Sequence, residues 1–158
     1  MDILIVYGYH PKEIFAIKVG EYFLGHNLNP GIEVVKYRGK RDSGGSTYYL
    51  RKFVEKFKPA ISPIILHDDS VFGHLYGAIV YSAKSKRERR QAAKRLMDFI
   101  LVENSLIAFG TFLTPGTNYN LFDIELNPRA ISIEKAKDLI EGFAKYLIDL
   151  RLRKKINL

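Results

Sequence analysis

The sequence predicts an α/β fold of three layers, with helices packed against a mostly parallel or mixed central sheet of about six strands. Short apolar runs alternate along the chain with longer amphipathic segments, and this alternation is typical of a sheet covered by helices. The chain has 158 residues, the length of one ordinary domain, and no repeat, low-complexity tract or linker divides it. We therefore expect residues 1–158 to form a single domain.

Each predicted element follows from its hydrophobic pattern. The strands are the short apolar runs, namely Ile3–Tyr7, Ile32–Tyr37, Ile61–His67, Gly77–Ala83, Leu106–Phe112 and Asn120–Leu126. The helices are the segments with apolar residues three and four positions apart, namely Lys12–Leu24, Thr47–Phe57, Lys86–Glu103 and Ile133–Leu152. Ser132 is well placed to cap the last helix, because a serine hydroxyl can accept a free N–H of the first turn.

The amino-acid composition limits the kinds of metal site that the chain can form. Cysteine is absent, which excludes thiolate zinc fingers, iron–sulfur centres and disulfides, and leaves His, Glu and Asp as metal ligands. Two methionines and abundant Lys, Arg and Glu are compatible with a heat-adapted protein.

The chain runs from Met1 directly into an apolar strand, and no apolar run approaches the ~20 residues that span a bilayer. We expect a cytoplasmic protein without membrane contact.

The net charge of +8 makes a polyanionic partner conceivable. The positive charge is concentrated at residues 85–95, at residues 151–155 and at residues 36–41. The first two clusters are typical of solvated helix faces and a fraying helix end, and no aromatic residues are interleaved with the basic start of the third helix. Nucleic acid is therefore an alternative partner rather than the favoured one.

A candidate metal site lies where several predicted strands end. His10 and Glu13 follow the first strand, close enough in sequence for one helical turn to place both on the same side of the backbone. His67 ends the third strand, and Glu125 lies near the end of the last one. Ligands of open α/β sheets bind beyond the carboxyl ends of the strands, so these four side chains take priority.

These residue types suit zinc chemistry. Two histidines and one glutamate form a known catalytic zinc set, and a further glutamate can act as general base on water. His74 competes with His67 as third ligand, and we favour His67 because it directly ends a strand. Glu125 shares a strand face with Asp123, so both side chains could instead point to solvent. Likewise, His10 could be an ordinary loop residue and Glu13 a first-turn acid stabilised by the helix dipole.

The chain resembles the zinc carboxypeptidase superfamily, and within it the aspartoacylase and succinylglutamate desuccinylase branch. The resemblance rests on His10-x-x-Glu13 after the first strand, on Leu66-His67-Asp68 at a strand end, and on Glu125 in a strand before a long final helix. It implies a phosphorylase/hydrolase-like fold, Zn²⁺ bound by His10, Glu13 and His67, and Glu125 as catalytic acid and base.

The chain departs from that pattern in four ways. Pro11 and Lys12 replace the usual Gly-Asn, the chain is shorter than typical members, and no clear equivalent exists for the Asn-Arg pair that holds the substrate carboxylate. Ile65 replaces the aspartate commonly found two residues before the third histidine, so the usual partner of that imidazole is missing or comes from elsewhere in the chain.

The resemblance implies a small acyl-amino-acid or peptide-like substrate that carries a carboxylate. Arg38 and Arg41 lie in the loop where a carboxylate-binding group is expected, and Tyr119 could close over a bound substrate. We thus predict a zinc-dependent amide hydrolase. Two alternatives stay open, a basic binding module for nucleic acid or an acidic protein, and a hydrolase-like fold that has lost its activity.

Overall fold

The structure is a computed structural model that describes residues 1–44, 46–71, 73–103, 106–114 and 120–153. These residues form six strands and four helices. The strands are β1 (Ile3–Tyr7), β2 (Ile32–Lys36), β3 (Ile64–Asp68), β4 (Gly77–Ala83), β5 (Ile107–Leu113) and β6 (Leu121–Leu126). The helices are α1 (Ile14–Leu24), α2 (Tyr48–Glu55), α3 (Lys86–Glu103) and α4 (Ile133–Leu152).

The six strands form one mixed sheet in the order β2-β1-β3-β6-β4-β5. β1 is parallel to β2 and β3, and β3 is parallel to β6. β4 runs antiparallel to β6 and parallel to β5. The carboxyl ends of β1, β2, β3 and β6 therefore lie at one edge of the sheet, which is the edge where open α/β sheets bind their ligands.

Helices pack on both faces of the sheet, which confirms the predicted three-layer α/β fold. Ile3 and Ile5 face a large core that they share with α1, α3 and α4. Leu4 and Val6 face a smaller core that they share with α2, since successive residues of a strand point to opposite faces. We call the side of the sheet that carries Leu4, Val6 and Ile65 the α2 face.

Most predicted element bounds agree closely with the structure, and β4, α3 and α4 agree at both ends. Ser132 caps α4 as expected, because its hydroxyl oxygen accepts the N–H of Lys135 at 3.1 Å. β3 begins only after Pro63, which has no N–H to contribute to the sheet. None of the helices in the described ranges is both long and apolar enough to cross a membrane.

Helix α1 begins at Ile14, two residues later than expected, and its start is tied to the end of β3. The Asp68 carboxylate accepts the N–H groups of Phe15 at 2.9 Å and of Ala16 at 2.6 Å. These are two of the N–H groups that the first turn of a helix leaves without a partner, and the negative charge suits the positive end of the helix dipole. Because Glu13 precedes α1 and His67 precedes Asp68, this contact brings Glu13 and His67 together.

Candidate metal centre

Strands β3 and β6 bring three ionisable side chains to the α2 face. In the parallel register, Ile65 lies opposite Asp123 and His67 lies opposite Glu125. Paired residues on neighbouring strands point to the same face, and Ile65 points into the α2-side core. His67, Asp123 and Glu125 therefore share this face. Asp123 and Glu125 are half-buried rather than fully exposed to solvent.

His10 and Glu13 lie in a turn and not in the first turn of α1 as we had expected. The Glu13 N–H donates to the His10 carbonyl oxygen at 3.2 Å, and Glu13 itself has φ −84° and ψ 71°, outside the helical region. The preceding Gly8 has a φ of +73°, which glycine adopts without the strain that a side chain would impose. The spacing thus brings the two side chains together through a turn instead of a helix.

The candidate ligand atoms of His10, Glu13 and His67 all lie within 4.8 Å of one another. Zinc–ligand bonds of about 2.0–2.2 Å in tetrahedral geometry require ligand atoms roughly 3.3–3.6 Å apart, so the cluster needs to contract by about 1 Å. His67 is buried, Glu13 is half-buried and His10 is exposed. Two imidazoles and a carboxylate in this arrangement fit a zinc ion that keeps one open coordination position.

Both ring nitrogens of His67 lie beside carboxylates. Nδ1 is 3.2 Å from Oε2 of Glu13, and Nε2 is 3.1 Å from Oδ1 of Asp123. Burial disfavours the charged imidazolium, but the hydrogen bonds to Asp123 and Glu13 outweigh burial and raise the pKa of His67 to about 10. Metal binding requires a neutral imidazole, so it is expected to release a proton from His67.

Glu125 combines a position beside His67 with an altered acidity. Burial is the main cause that raises the pKa of Glu125 to about 7, and the carboxylates of Asp123, Glu13 and Asp69 act in the same direction. The His67 imidazole opposes them. A carboxyl group with a pKa near neutrality can both accept and return a proton, which is the requirement for a general acid and base.

Tyr9 packs against both histidines of the cluster. Its ring centroid lies 4.6 Å from that of His10 and 6.3 Å from that of His67, and the rings of the two histidines are 5.2 Å apart. The Tyr9 hydroxyl donates to the Asp42 carboxylate at 2.6 Å. Asp42 also accepts the N–H groups of Tyr49 and Leu50, at 2.9 and 3.1 Å, in the first turn of α2. The loop after β2 is thus anchored next to the cluster.

Of the remaining predicted site residues, Arg38 and Arg41 are exposed in the loop after β2, at the same edge of the sheet as the cluster. The guanidinium of Arg41 donates to the Tyr9 carbonyl oxygen. His74 is exposed and does not belong to the His10, Glu13 and His67 cluster, which was sought among the described residues. Tyr119 lies outside the described residues. The roles assigned to all these residues stay predictions.

Sequence reasoning overlooked two residues near the cluster. For Asp123, the sequence pattern allows a solvated strand face, but its alternation with Glu125 is a signal that both side chains share one environment. Arg51 of α2 is half-buried and donates from Nε to Thr47 Oγ1 at 2.8 Å. Burial lowers the pKa of Arg51, and the nearby Asp123 carboxylate opposes this change. No local pattern in α2 marks Arg51, because its proximity to Asp123 arises from helix packing.

Solved structures of two bacterial amidases share this fold. The catalytic domain of CwlV, an N-acetylmuramoyl-L-alanine amidase from Bacillus (Paenibacillus) polymyxa var. colistinus, is 14% identical with a TM-score of 0.52, and the match covers 94% of this chain and 97% of that domain. The N-acetylmuramoyl-L-alanine amidase AmiC2 of Nostoc punctiforme is 12% identical with a TM-score of 0.54, and the match covers 96% and 97% of the two chains.

Murine aminoacylase 3 also shares the fold. It is 12% identical with a TM-score of 0.57, and the match covers 95% of this chain. The chain spans only 65% of the length of aminoacylase 3. No protein-family model and no curated protein sequence matches the chain. At these identities, the structural likeness shows a common α/β fold and leaves the chemistry to be argued from the site.

Proposed function

We propose that this chain is a zinc-dependent hydrolase of an amide bond in a small acyl-amino-acid or peptide-like substrate. The observation that carries the proposal is the convergence of His10, Glu13 and His67 within 4.8 Å, with Glu125 paired to His67 on the neighbouring strand. The structures that share the fold support it, since two are amidases and one is an aminoacylase.

The proposed chemistry divides between the metal and the protein. A bound zinc ion supplies a Lewis acid that polarises the scissile carbonyl and lowers the pKa of water. The Glu125 carboxylate accepts a proton from the attacking water as the water oxygen forms its bond to the carbonyl carbon. As the carbon–nitrogen bond breaks, protonated Glu125 gives this proton to the leaving amine. Glu125 thus ends the cycle as a carboxylate, ready for the next water molecule.

Substrate recognition is proposed to involve the loop after β2. Arg38 and Arg41 place positive charge at the ligand-binding edge of the sheet, and a guanidinium can bind a carboxylate through two parallel hydrogen bonds. Tyr119 keeps its predicted role as a residue that closes over the substrate. A polyanionic partner would bind a different surface from the substrate, because the exposed basic residues of α3 lie on the sheet face opposite the cluster.

The proposal is tested on protein purified without chelator. We expect about one zinc per chain by elemental analysis and amide hydrolysis in a panel of N-acetyl-amino acids and N-acetylmuramoyl-L-alanine. Glu125→Gln should lower kcat by about 10²- to 10⁴-fold, because the amide cannot take up the proton, while zinc content stays at the wild-type level.

Asp138→Asn is the matched control, because its side chain is 74% exposed on α4. This variant should keep both zinc content and turnover. Protein without zinc and without affinity for added zinc would exclude the proposal. Zinc-loaded protein that is inactive on the whole panel would instead favour a hydrolase-like fold that has lost its activity.

A further inference from the structure

The Asp123 carboxylate lies against the side of the His67 ring that is opposite to Glu13. Asp123 Oδ1 is 3.1 Å from Nε2 of His67, while Nδ1 on the other side of the ring is 3.2 Å from Glu13 Oε2. The His67 side chain is only 10% exposed and that of Asp123 is 26% exposed. Little water can therefore replace Asp123 as the partner of Nε2.

The register of β3 and β6 accounts for this contact. Asp123 lies opposite Ile65, and Ile65 is two residues before His67 on the same face of β3. Asp123 and His67 therefore occupy diagonal positions on the two neighbouring strands, and a carboxylate and an imidazole are long enough to meet across that separation. Ile65 is apolar and fully buried, so its own position in β3 supplies no hydrogen-bond acceptor to the ring.

A carboxylate on one nitrogen decides what the other nitrogen can do. An imidazole whose Nε2–H is donated to a carboxylate has its free electron pair on Nδ1, and its ring can no longer turn without breaking that bond. In this structure, Nδ1 is the nitrogen that faces Glu13. The Arg51 guanidinium on α2 is close enough to interact electrostatically with Asp123.

We propose that Asp123 is a positioning residue that accepts Nε2–H from His67 and thereby directs Nδ1 of His67 to the metal shared with His10 and Glu13. This inference rests on the proposed zinc site and adds a residue to which no role was assigned. Asp123 acts through His67 and needs no contact with metal or substrate. Its removal should weaken zinc binding without removing a ligand.

The first test measures zinc affinity by competition with a chromophoric chelator. Asp123→Asn keeps the size of the side chain but loses its charge, and should bind zinc about 10- to 100-fold more weakly than the wild type. Asp138→Asn makes the same chemical change at a site that is 74% exposed and should bind zinc as the wild type does. Equal affinity of Asp123→Asn and the wild type would overturn the role of Asp123.

The second test needs only the wild-type protein and so decides the matter even where Asp123→Asn fails to fold. Nitrogen-15 NMR of the zinc-loaded chain should show His67 with its proton on Nε2 and zinc on Nδ1. Zinc on Nε2 would overturn the inferred role of Asp123, while zinc binding itself would still support the proposed zinc site. A wild-type chain that binds no zinc would overturn the proposed function together with this inference, so the two failures are distinguishable.

Discussion

His67 is the residue that links the separate parts of the candidate site. It lies at the end of a central strand, and its two nitrogens face carboxylates from a turn before α1 and from β6. Its burial gives the ring few alternative orientations, whereas His10 is exposed and His74 is not a member of the cluster. Zinc binding should therefore be more sensitive to His67 than to any other histidine.

This leads to a direct comparison of two histidine substitutions. We expect His67→Ala to weaken zinc binding by at least about 100-fold, since one of the three proposed protein ligands is lost. His74→Ala should leave zinc affinity unchanged. Isothermal titration with zinc measures both variants, and equal losses in the two would contradict the assignment of His67.

Asp42 illustrates how a single carboxylate supports the neighbourhood of the site. It accepts hydrogen bonds from the Tyr9 hydroxyl and from two N–H groups of the first turn of α2. Burial alone would raise the pKa of Asp42, but these hydrogen bonds outweigh burial and lower it. The ionised Asp42 carboxylate therefore stabilises the folded protein at any pH above the pKa that Asp42 has in the unfolded chain. This stabilisation is lost as the pH falls through the lower pKa that Asp42 has in the folded protein.

Replacing Asp42 by Asn should lower the free energy of unfolding by about 1 kcal/mol at pH 7, the usual value of a helix-capping group. The difference from the wild type should shrink as the pH falls from 7 to 2, because the wild-type carboxylate becomes increasingly protonated. Urea unfolding at both pH values measures the effect. A difference that is the same at pH 7 and at pH 2 would show that ionisation of Asp42 does not contribute.

At the scale of elements, the close approach of α1 to β1 brings the turn that carries His10 and Glu13 against the sheet. Gly20 of α1 lies directly over the Tyr7 ring, and a Cβ at this position would be 2.1 Å from Cγ of Tyr7. Tyr7 is 2% exposed and so cannot move out into solvent. The small residue is required here by packing, against the general preference of helices for alanine over glycine.

Two glycine substitutions separate packing from helix propensity. Gly20→Ala should destabilise the protein by about 1–3 kcal/mol, because the added methyl group overpacks the core. In α4, Gly142 has nothing within 4 Å of its added Cβ, so Gly142→Ala should stabilise by about 0.5–1 kcal/mol. Thermal unfolding measures both, and a stabilising Gly20→Ala would show that α1 stands farther from β1.

At the scale of the whole molecule, we expect the fold to form without the metal. Apolar residues bury a core on both sides of the sheet, and the candidate zinc cluster lies at one edge, outside the larger core. A chain of this size can remain folded on such burial alone. Zinc should therefore add stability through binding to the folded state, rather than create that state.

Thermal unfolding with and without metal tests this expectation. The wild type should unfold cooperatively in the presence of chelator. Free zinc at 100 times its Kd should add about 2.7 kcal/mol, which raises the Tm by roughly 5–10 °C in a chain of this length. His10→Ala should show a much smaller zinc-dependent shift. Loss of cooperative unfolding in chelator would instead show that the metal is needed for folding.

Local patterns predicted much of the fold. The bounds of β4, α3 and α4 follow from apolar periodicity, and Ser132 was recognised as a helix cap. The start of α1 was predicted too early, because periodicity does not reveal that Glu13 turns back towards His10. Such a turn depends on contacts beyond the segment itself, including the Asp68 carboxylate from β3.

The sequence by itself determined the three-layer α/β class and the set of groups from which a site could be built, because periodicity and strand ends are local properties of the chain. Only the tertiary structure decided that β6 lies between β3 and β4, with Asp123 beside His67. The tertiary structure thereby shows that Asp123 is a hydrogen-bond partner of the His67 imidazole, which the apolar side chain of Ile65 cannot be. Strand order and register depend on contacts between distant segments, and a single segment carries no signal for them.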